Sequence, residues 1–558
     1  MKAAAAYTAL TLVLLLPLPL HIASAVPSPL GDQLIVMGFM AWETQVLPSS
    51  PTQTFEMPIL FPARHALAFS EHLLGALPFA WPVIRLTENP VLAYNLILLL
   101  SFVLCAVFMR LLVFELTNHS EASFLAGLLY AFTHYRLQNL PHLQLLLSFW
   151  MPLSLLGLIR FAKRPAAGAF ALCAGAYTMQ ALSCWYYAFY FGLALAFVAA
   201  CWLYSARKSL KLPPPLITRL AAIAIPMLLL IAWTAKPYLE LQQAVPTYKR
   251  SLSEMAPLSA DPRDWLVASD RSRTLGAMTL PVKSQGDEHA LFPGIACLLL
   301  LVAAWRRRKQ PSSWFERSLW IVLPAAFLFS LGPSFHFGGG SDTPDPSRDL
   351  GFPLPYRLLH LLVPGLSSLR APARFAAVFG LAAAVLAGIG FARAFPGPRS
   401  RKGLMAAFFS SIAAFEFFPA PLALAEVPSY RAAPAIYTWL REQPPCAVAF
   451  VGPGANQPRP SWSPHFEAWQ VYWMPLHGHE TPNGFTGFLA PEFIRFRDLL
   501  AGFPSAASLA SLRDLGVRIF VVRTQDAGDA WPALTDAVAA KQVAVIWQAE
   551  GFSAYRIE

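Results

Sequence analysis

Carboxylates in one polar segment, close to the first apolar stretch, are the residues of this sequence best placed for chemistry. Asp32 lies a few residues beyond that stretch, and Glu43, Glu71 and His72 follow it. A carboxylate where a membrane helix meets water can act as a general base or hold a metal ion. The alternatives are a solvated loop acid or a helix cap, and Ser70-Glu71-His72 also fits a helix start. We therefore take Asp32, Glu43, Glu71 and His72 as candidate catalytic residues.

Arginines before a later apolar segment form a candidate anion site. Arg370 and Arg374 are four residues apart, which places them on one face if the segment is helical. Pro372 suits the first turn of a helix, whose free N–H groups attract anions, and guanidinium groups match phosphate geometry. The alternative is a pair of interfacial arginines that meet lipid phosphates. Further candidates for the rim of this site are Arg136, His142 and Arg357.

Two other features, a histidine motif and a glutamate in an apolar segment, invite a functional interpretation that the sequence supports weakly, and the cysteines invite none. His477-Gly478-His479 matches part of a metal-ligand pattern, but it stands in a loop rich in Pro and Gly. Glu416 lies inside an apolar segment, where it is either structural or faces a polar cavity. The six cysteines form no pattern typical of a disulfide framework or a zinc site. The metal ligands, if there are any, stay unknown from the sequence.

The composition is that of a membrane protein. The chain has 558 residues, of which 56% are hydrophobic and 13% charged, whereas soluble domains carry about 25% charged residues. This excludes a disordered chain and a single soluble domain. The net charge of +11 does not indicate a nucleic-acid partner, because the basic residues cluster in short loops between apolar segments.

About eleven segments are apolar enough to be membrane spans, judged with a window of about 20 residues. They lie near 4–24, 91–113, 122–138, 142–161, 166–184, 186–204, 217–235, 290–305, 318–334, 374–393 and 404–424. The short basic loops between them should be cytoplasmic, because positive charge is retained on that side. The long loops 25–90, 236–289 and 335–373, and the C-terminus, should then lie outside. Glu115, Glu121 and Glu316 are acidic exceptions in the cytoplasmic set.

The two ends of the chain have their own patterns. Residues 1–25 fit a first span with a cytoplasmic N-terminus, or alternatively a cleaved signal peptide. Loop 25–90 should form short helices in the membrane interface. From residue 426 onward the pattern predicts a small α/β domain. Its strands are predicted at 446–451, 517–523, 543–548 and 552–557, and its helices at 432–443, 491–501, 505–515 and 530–541.

Several of these segments together resemble a known group of proteins. The long first outer loop with its acid and the C-terminal outer domain resemble the GT-C superfamily of membrane glycosyltransferases. More closely, the sequence resembles a group of bacterial, GT-C-like proteins with many membrane spans, and this similarity extends over roughly the whole chain. It is carried by Gly31-Asp32, Phe61-Pro62, Ser70-Glu71-His72, Asn89–Leu96 and Arg370–Phe375.

The resemblance implies an inverting sugar transfer from a polyprenyl-phosphate-linked donor. The acid of the first loop corresponds to Asp32, which would deprotonate or position the acceptor hydroxyl, while Arg370 and Arg374 would stabilise the departing phosphate. Many GT-C members carry two adjacent acids in this loop, whereas Gln33 follows Asp32 in this sequence. The sequence therefore predicts no firm cofactor and leaves a divalent metal as an alternative.

Our prediction from the sequence is a mainly α, polytopic transmembrane helix bundle of the bacterial inner membrane. Residues 1–425 would form a GT-C-like membrane domain, and residues 426–558 a small extracytoplasmic α/β domain. The partners would be the lipid bilayer, a polyprenyl-phosphate sugar donor and a glycan, lipid or protein acceptor. The alternative is a non-catalytic or transport protein that handles lipid-linked glycans in envelope assembly. The scarcity of charges within the spans argues against ion-coupled transport.

Overall fold

The computed structural model describes residues 1–276, 288–308, 313–335, 352–453, 463–500, 502–524 and 530–558. Lys309 of one predicted basic loop, and residues 336–351 of one predicted outer loop, lie outside the described residues. The chain is mostly helical, as predicted. It divides into two compact units: a helical unit of Met1–Leu20, Ile97–Gln242 and Pro246–Leu422, and a loop unit of His21–Leu96, Gln243–Val245 and Ala423–Glu558.

Helices make up most of the described part of the chain, and the strands are short. In chain order, the helices are α1 Lys2–Leu14, α2 Asp32–Val46, α3 Leu77–Thr87, α4 Pro90–Thr117, α5 Ser120–Ala131, α6 His134–Gln138, α7 Leu143–Leu146, α8 Trp150–Lys163, α9 Ala167–Ser183, α10 Trp185–Ala206, α11 Pro214–Ala244, α12 Leu252–Met255, α13 Ile295–Arg306, α14 Trp314–Ser330, α15 Tyr356–Leu362, α16 Ala376–Ala394, α17 Arg399–Phe417, α18 Ala435–Arg441, α19 Pro464–His477, α20 Pro491–Leu499, α21 Ala506–Asp514 and α22 Ala530–Ala539. The strands are β1 Ala25–Pro27, β2 Leu424–Glu426, β3 Ala447–Val451, β4 Val517–Arg523, β5 Val543–Ala549 and β6 Phe552–Ile557.

Five helical segments of the described residues are long and apolar enough to cross a membrane. They are Pro90–Thr117, Leu143–Lys163, Trp185–Ala206, Pro214–Ala244 and Pro372–Ala394, and each coincides with a predicted span. The shorter apolar helices Lys2–Leu14 and Ile295–Arg306 occupy two further predicted positions. The total of about eleven spans stays a prediction.

The first predicted span is wrong as a continuous helix. The helix α1 ends at Leu14, a 3-10 turn occupies Leu18–His21, and β1 follows. Pro17 and Pro19 follow the end of α1, and each lacks a backbone N–H, so an α-helix through them would lose hydrogen bonds. Within the helical unit α1 is nevertheless packed, since the buried Tyr7 stacks on Phe124 at 4.8 Å between ring centroids.

The acidic residues of the basic loops have basic partners inside the helical unit. Glu115 accepts hydrogen bonds from Arg160 Nε at 3.1 Å and from Lys163 Nζ at 2.8 Å. Glu316 pairs with both terminal nitrogens of Arg393, at 2.6 and 2.7 Å. These acids therefore lie at the same ends of their helices as the basic residues, and they do not contradict the sidedness predicted from positive charge.

Glu416 has a structural role in the helical unit. Its carboxylate oxygens accept from the backbone N–H groups of Ile295 (3.0 Å) and Ala296 (3.2 Å), which open α13. The preceding Gly294 has a φ of +92°, and a Cβ there would lie 2.6 Å from Glu416 Oε2. A carboxylate at a helix N-terminus satisfies free N–H groups and opposes the helix dipole. The structural interpretation of Glu416 is thus the one the geometry favours.

The loop unit joins the first polar segment to the C-terminal part of the chain. The strand β1 pairs antiparallel with β2. The helix α2 packs closely on α19, because a Cβ on Gly38 would lie only 2.4 Å from the carbonyl oxygen of Val471. Loop backbone groups also bond to this part: Leu60 N–H donates to Asn483 O at 3.0 Å. Residues 21–96 are therefore built on the C-terminal segment as one compact body.

The predicted C-terminal strands and helices are confirmed as elements. Strands β3, β4, β6 and β5 form one sheet in that order. The β3–β4 pair is parallel, and the other two pairs are antiparallel. The sequence analysis does not predict α19, the helix on which α2 packs.

Candidate functional site

Asp32 is the first residue of α2 and is partly exposed. The buried side chain of Gln33 shapes the turn before it: its Nε2 donates to the carbonyl oxygens of Pro27 (2.6 Å) and Pro29 (2.9 Å). Its Oε1 accepts from Gly31 N–H at 2.9 Å. Three hydrogen bonds from one fully buried amide fix the backbone that presents Asp32. Gln33, which departs from the GT-C pattern of paired acids, therefore serves to position Asp32.

Glu43 is fully buried in α2, outside the membrane-spanning helices. Its Oε1 accepts from the backbone N–H of Leu73 at 3.2 Å, whereas its Oε2 is buried without a hydrogen-bond partner. Burial raises the pKa of Glu43 from 4.5 to about 8, because desolvation disfavours the charged form. A carboxyl that is shut away from solvent does not reach a substrate directly. Glu43 instead holds the segment that carries Glu71 and His72.

The segment Ser70–His72 does not begin a helix, so that prediction is wrong. A 3-10 turn occupies Ala66–Phe69, the following Ser70 has an extended backbone, and the next helix begins only at Leu77. His72 is 1% exposed and packs edge-on against Phe55. Burial lowers the pKa of His72 to about 3, so its ring is neutral at physiological pH. Glu71, by contrast, is partly exposed.

Arg374 forms a buried ion pair in the helical unit. Its Nε donates to Glu288 Oε1 at 2.7 Å, and its Nη2 lies 2.6 Å from the same oxygen. The guanidinium also lies over the ring of Tyr186, 4.2 Å from the centroid. The other oxygen, Glu288 Oε2, is buried without a hydrogen-bond partner. The charge of Arg374 is thus already matched by an acid that the sequence analysis did not identify.

Arg370 and Arg250 lie close to each other on the same unit. Arg370 is exposed and precedes the 3-10 turn Pro372–Phe375, so the expectation of Arg370 and Arg374 on one helical face is wrong. Pro372 does open that turn, as predicted. Burial and then the positive charge of Arg370 lower the pKa of Arg250 below its ordinary value. Arg250 lies 3.6 Å from Glu254, whereas Arg370 has no acidic partner among the described residues.

The remaining candidates of the predicted rim are engaged by the protein. Arg136 is 3% exposed, and its guanidinium donates to the carbonyls of Ala131 and Leu146 and to the hydroxyls of Ser101 and Ser148, at 2.8 to 3.1 Å. A phosphate would have to replace these bonds. The guanidinium of Arg136 therefore ties α4, α5 and α7 together, and its part in donor binding stays a prediction.

Arg357 and His142 lie at the ends of short helices. Arg357 is the second residue of α15, and its Nε donates to the carbonyl of Pro333 at 2.8 Å while its Nη2 donates to Ser334 Oγ at 3.1 Å. His142 precedes α7 and is partly exposed. Arg357 therefore fixes α15 to the chain just after α14, and a phosphate contact by either residue stays a prediction.

A second buried pair supports the position of Glu288. His289 Nδ1 lies 2.7 Å from Asp264 Oδ2, and its Nε2 lies 3.1 Å from the carbonyl of Pro257. Burial alone would lower the pKa of His289, but the hydrogen bond and the charge of Asp264 raise it above its ordinary value. Asp264 also accepts from the N–H of Asp261 at 2.8 Å. This network anchors the chain directly after Glu288.

The described residues offer no site of three or more metal-ligating side chains. The two histidines of the His477-Gly478-His479 motif are buried, and the ring nitrogens of His479 lie within hydrogen-bond distance of the carbonyls of Leu440 (2.6 Å) and Cys446 (3.2 Å). A histidine bound in this way holds α18 and β3 in place. The geometry of this motif thus favours a structural role for His479 over a metal site.

Sequence reasoning missed Gln33, Arg250 and Glu288. Gln33 carries at most a weak signal, because a polar side chain at the start of a helix can bond to nearby backbone groups, as Gln33 does with Gly31, Pro27 and Pro29. Arg250 and Glu288 gave no local signal, since their partners Arg370 and Arg374 are distant along the chain. That Asp32 and the arginines line one cavity stays a prediction.

Comparison with known proteins identifies the class of fold. No protein-family model matches the chain, and no curated protein matches it by sequence. Among solved structures, the arabinofuranosyltransferase AftD from Mycobacteria matches all of this chain at 16% identity and a TM-score of 0.55, over 39% of its own length. A variant of AftD matches at 15% identity and a TM-score of 0.52, again over all of this chain, with 41% of its own length covered.

A further similar structure is ArnT from Cupriavidus metallidurans with bound undecaprenyl phosphate. It has 11% identity and a TM-score of 0.49, over 99% of this chain and 97% of that one. This chain spans about two fifths of the AftD chain. The likeness to AftD shows that the protein has a GT-C-like fold, which confirms the resemblance seen in the sequence.

Proposed function

We propose that the protein transfers a sugar from a polyprenyl-phosphate-linked donor to an acceptor at the outer face of the bacterial inner membrane. The observation that carries this proposal is the pair Arg250 and Arg370. Arg370 is exposed and has no acidic partner among the described residues, and it stands two residues before the apolar segment Pro372–Ala394. A donor with an anionic phosphate on an apolar tail suits cations at the end of a membrane helix. The GT-C-like fold supports the same class of reaction.

In the proposed reaction, Asp32 accepts the proton of the acceptor hydroxyl. The acceptor oxygen then bonds to the anomeric carbon of the sugar, and the bond from that carbon to the phosphate oxygen breaks. The leaving group is the polyprenyl phosphate, whose developing charge Arg250 and Arg370 stabilise. One displacement inverts the anomeric centre. Arg374, neutralised by Glu288, holds the start of the apolar segment rather than supplying net positive charge.

The proposal places the N-terminus in the cytoplasm and the loop unit outside. In support of this placement, Glu115 and Glu316 of two predicted cytoplasmic loops pair with basic residues of other predicted cytoplasmic loops. The acceptor would be a glycan, a lipid or a protein, and the loop unit, which joins the first loop to the C-terminal segment, would hold it.

The proposal is tested on the full-length protein in lipid nanodiscs with polyprenyl-phosphate-linked sugars. Asp32→Asn should lower kcat by about 100-fold or more, because a general base contributes about 10²- to 10⁴-fold, and should leave binding of the donor unchanged. Arg370→Gln should instead raise KM for the donor. Matched controls are Glu88→Gln, an exposed acid of the same unit as Asp32, and Arg164→Gln, an exposed arginine. Both controls should transfer sugar normally.

Two results would contradict this assignment. Full transfer by both Asp32→Asn and Arg370→Gln would show that the site lies elsewhere. Binding of undecaprenyl phosphate without transfer of any sugar by the unaltered protein would favour the alternative, a non-catalytic protein that handles lipid-linked glycans. Thermal unfolding of each variant separates loss of activity from loss of fold.

A further inference from the structure

The short helix α15 presents a row of exposed leucines. Leu358, Leu361 and Leu362 are 60, 77 and 75% exposed, and Phe352 just before the helix is 74% exposed. The three leucines are spaced i, i+3 and i+4, so they share one face of the helix. Single exposed apolar residues are ordinary, but four large ones together mark a surface that something covers.

The opposite face of α15 is fixed to the helical unit. Tyr356 is fully buried and contacts Phe375 edge-on, and Arg357 binds the carbonyl of Pro333. The backbone N–H of Leu354 also donates to Pro333 O at 3.1 Å. The helix therefore has a fixed orientation, and its leucines point away from the protein for a structural reason.

The loop after α15 lies at the ends of apolar helices. Ser367 and Ser368 accept from Gln242 on the last turn of α11, at 3.3 and 3.0 Å. A Cβ on Gly365 would lie 2.9 Å from the ring of Phe189, one turn into α10. The apolar segment Pro372–Ala394 begins shortly afterwards. Three candidate membrane helices thus have an end at the level of this loop.

Aromatic residues mark the same level as a membrane boundary. Trp185, the first residue of α10, packs edge-on against Tyr238 near the end of α11, with ring centroids 5.7 Å apart. Trp and Tyr favour the depth at which lipid headgroups meet the acyl chains. Arg250 and Arg370 lie in the same region, because Arg250 N–H donates to the carbonyl of Ser367 at 2.8 Å. Long cationic side chains near the ends of membrane helices can reach the depth of the lipid phosphates.

We propose that α15 is an interfacial helix whose leucines, with Phe352, insert among the phospholipid acyl chains of the surrounding bilayer. An amphipathic helix parallel to the membrane buries its apolar face at the boundary between headgroups and chains. The insertion holds Arg250 and Arg370 at the depth of lipid phosphates, so an anionic lipid reaches them from within the membrane plane. This inference concerns membrane contact and does not depend on sugar transfer.

The test measures the depth of Leu361 in nanodiscs. A variant with Cys173→Ser, Cys201→Ser and Cys446→Ser supplies the background, and Leu361→Cys carries an environment-sensitive fluorophore. Nitroxide near the lipid headgroup should quench its emission at least about twofold, more than nitroxide deep in the chains does, and iodide in the water should quench little. Two further label positions are the controls: Leu229→Cys, exposed in the middle of α11, should respond most to deep nitroxide, and Arg164→Cys should respond to iodide.

Two results overturn the proposal. Strong quenching of the label at 361 by iodide, without quenching by nitroxide lipids, would place α15 in water. Protection from both quenchers would mean that a protein, such as a second copy of this chain, covers the leucines. Each labelled position is exposed, so all three variants should fold, and the thermal unfolding midpoint of each one checks this. This experiment does not measure sugar transfer, so its result stands even if the proposed glycosyltransferase activity is not found.

Discussion

The buried carboxyl of Glu43 makes the stability of the loop unit depend on pH. Its pKa is raised from 4.5 to about 8 by burial, and the N–H of Leu73 offsets this only in part. In the unfolded chain the carboxyl ionises above pH 4.5, whereas in the folded protein it keeps its proton until about pH 8. The folded state therefore binds more protons across this window, and its stability falls as the pH rises.

The size of the effect follows from the two pKa values. A difference from 4.5 to about 8 corresponds to a loss of about 5 kcal/mol once the pH exceeds both values. Between pH 6 and pH 8.5 the loss of folding free energy is roughly 2 to 3 kcal/mol. Glu43→Gln removes the titrating group and keeps an acceptor for the N–H of Leu73. The stability of the variant relative to the unaltered protein should therefore increase as the pH rises.

The assay is thermal unfolding in detergent at pH 6 and pH 8.5, with hydrogen exchange of residues 66–76 as the local readout. Glu467→Gln is the matched comparison, because burial raises the pKa of Glu467 to about 8 in the same unit, where Gly484 N–H donates to it at 2.9 Å. Each variant should flatten part of the pH dependence. Parallel pH profiles for Glu43→Gln and the unaltered protein would refute the reasoning, since they would mean that Glu43 titrates alike in both states.

Three further predictions concern the ion pair, the turn before Asp32 and the sidedness. Arg374→Met should lower the free energy of unfolding by about 3 to 5 kcal/mol, because it leaves Glu288 buried and unpaired. Adding Glu288→Leu should recover most of this loss, and equal unfolding midpoints for the single and double variants would contradict the prediction. Gln33→Ala should lower sugar transfer while Asp32 is retained, since the turn loses three hydrogen bonds; unchanged kcat would exclude a positioning role. Alkaline phosphatase fused after Glu558 should be active in cells, and an inactive fusion would reverse the predicted topology.

Local patterns of hydropathy and propensity determined much of the fold. Five long apolar helices and the four C-terminal strands stand where the sequence predicts them. Pro372 opens its turn, and Asp32 stands at a helix start. These features depend on residues a few positions apart, because hydrogen bonds within a helix, turn chemistry and the apolar length of a span are local properties.

The partners of charged and polar side chains were decided only by the tertiary structure. Arg374 pairs with Glu288, which lies 86 residues away in the sequence, and Arg136 donates its hydrogen bonds to backbone and hydroxyl oxygens. Arg250 joins Arg370 because the chain returns to the end of α11. A buried charge must be paired, but which residue pairs with it depends on which segments meet after folding. The sequence by itself therefore located the charges, and only the folded chain determined which of them have partners among the described residues.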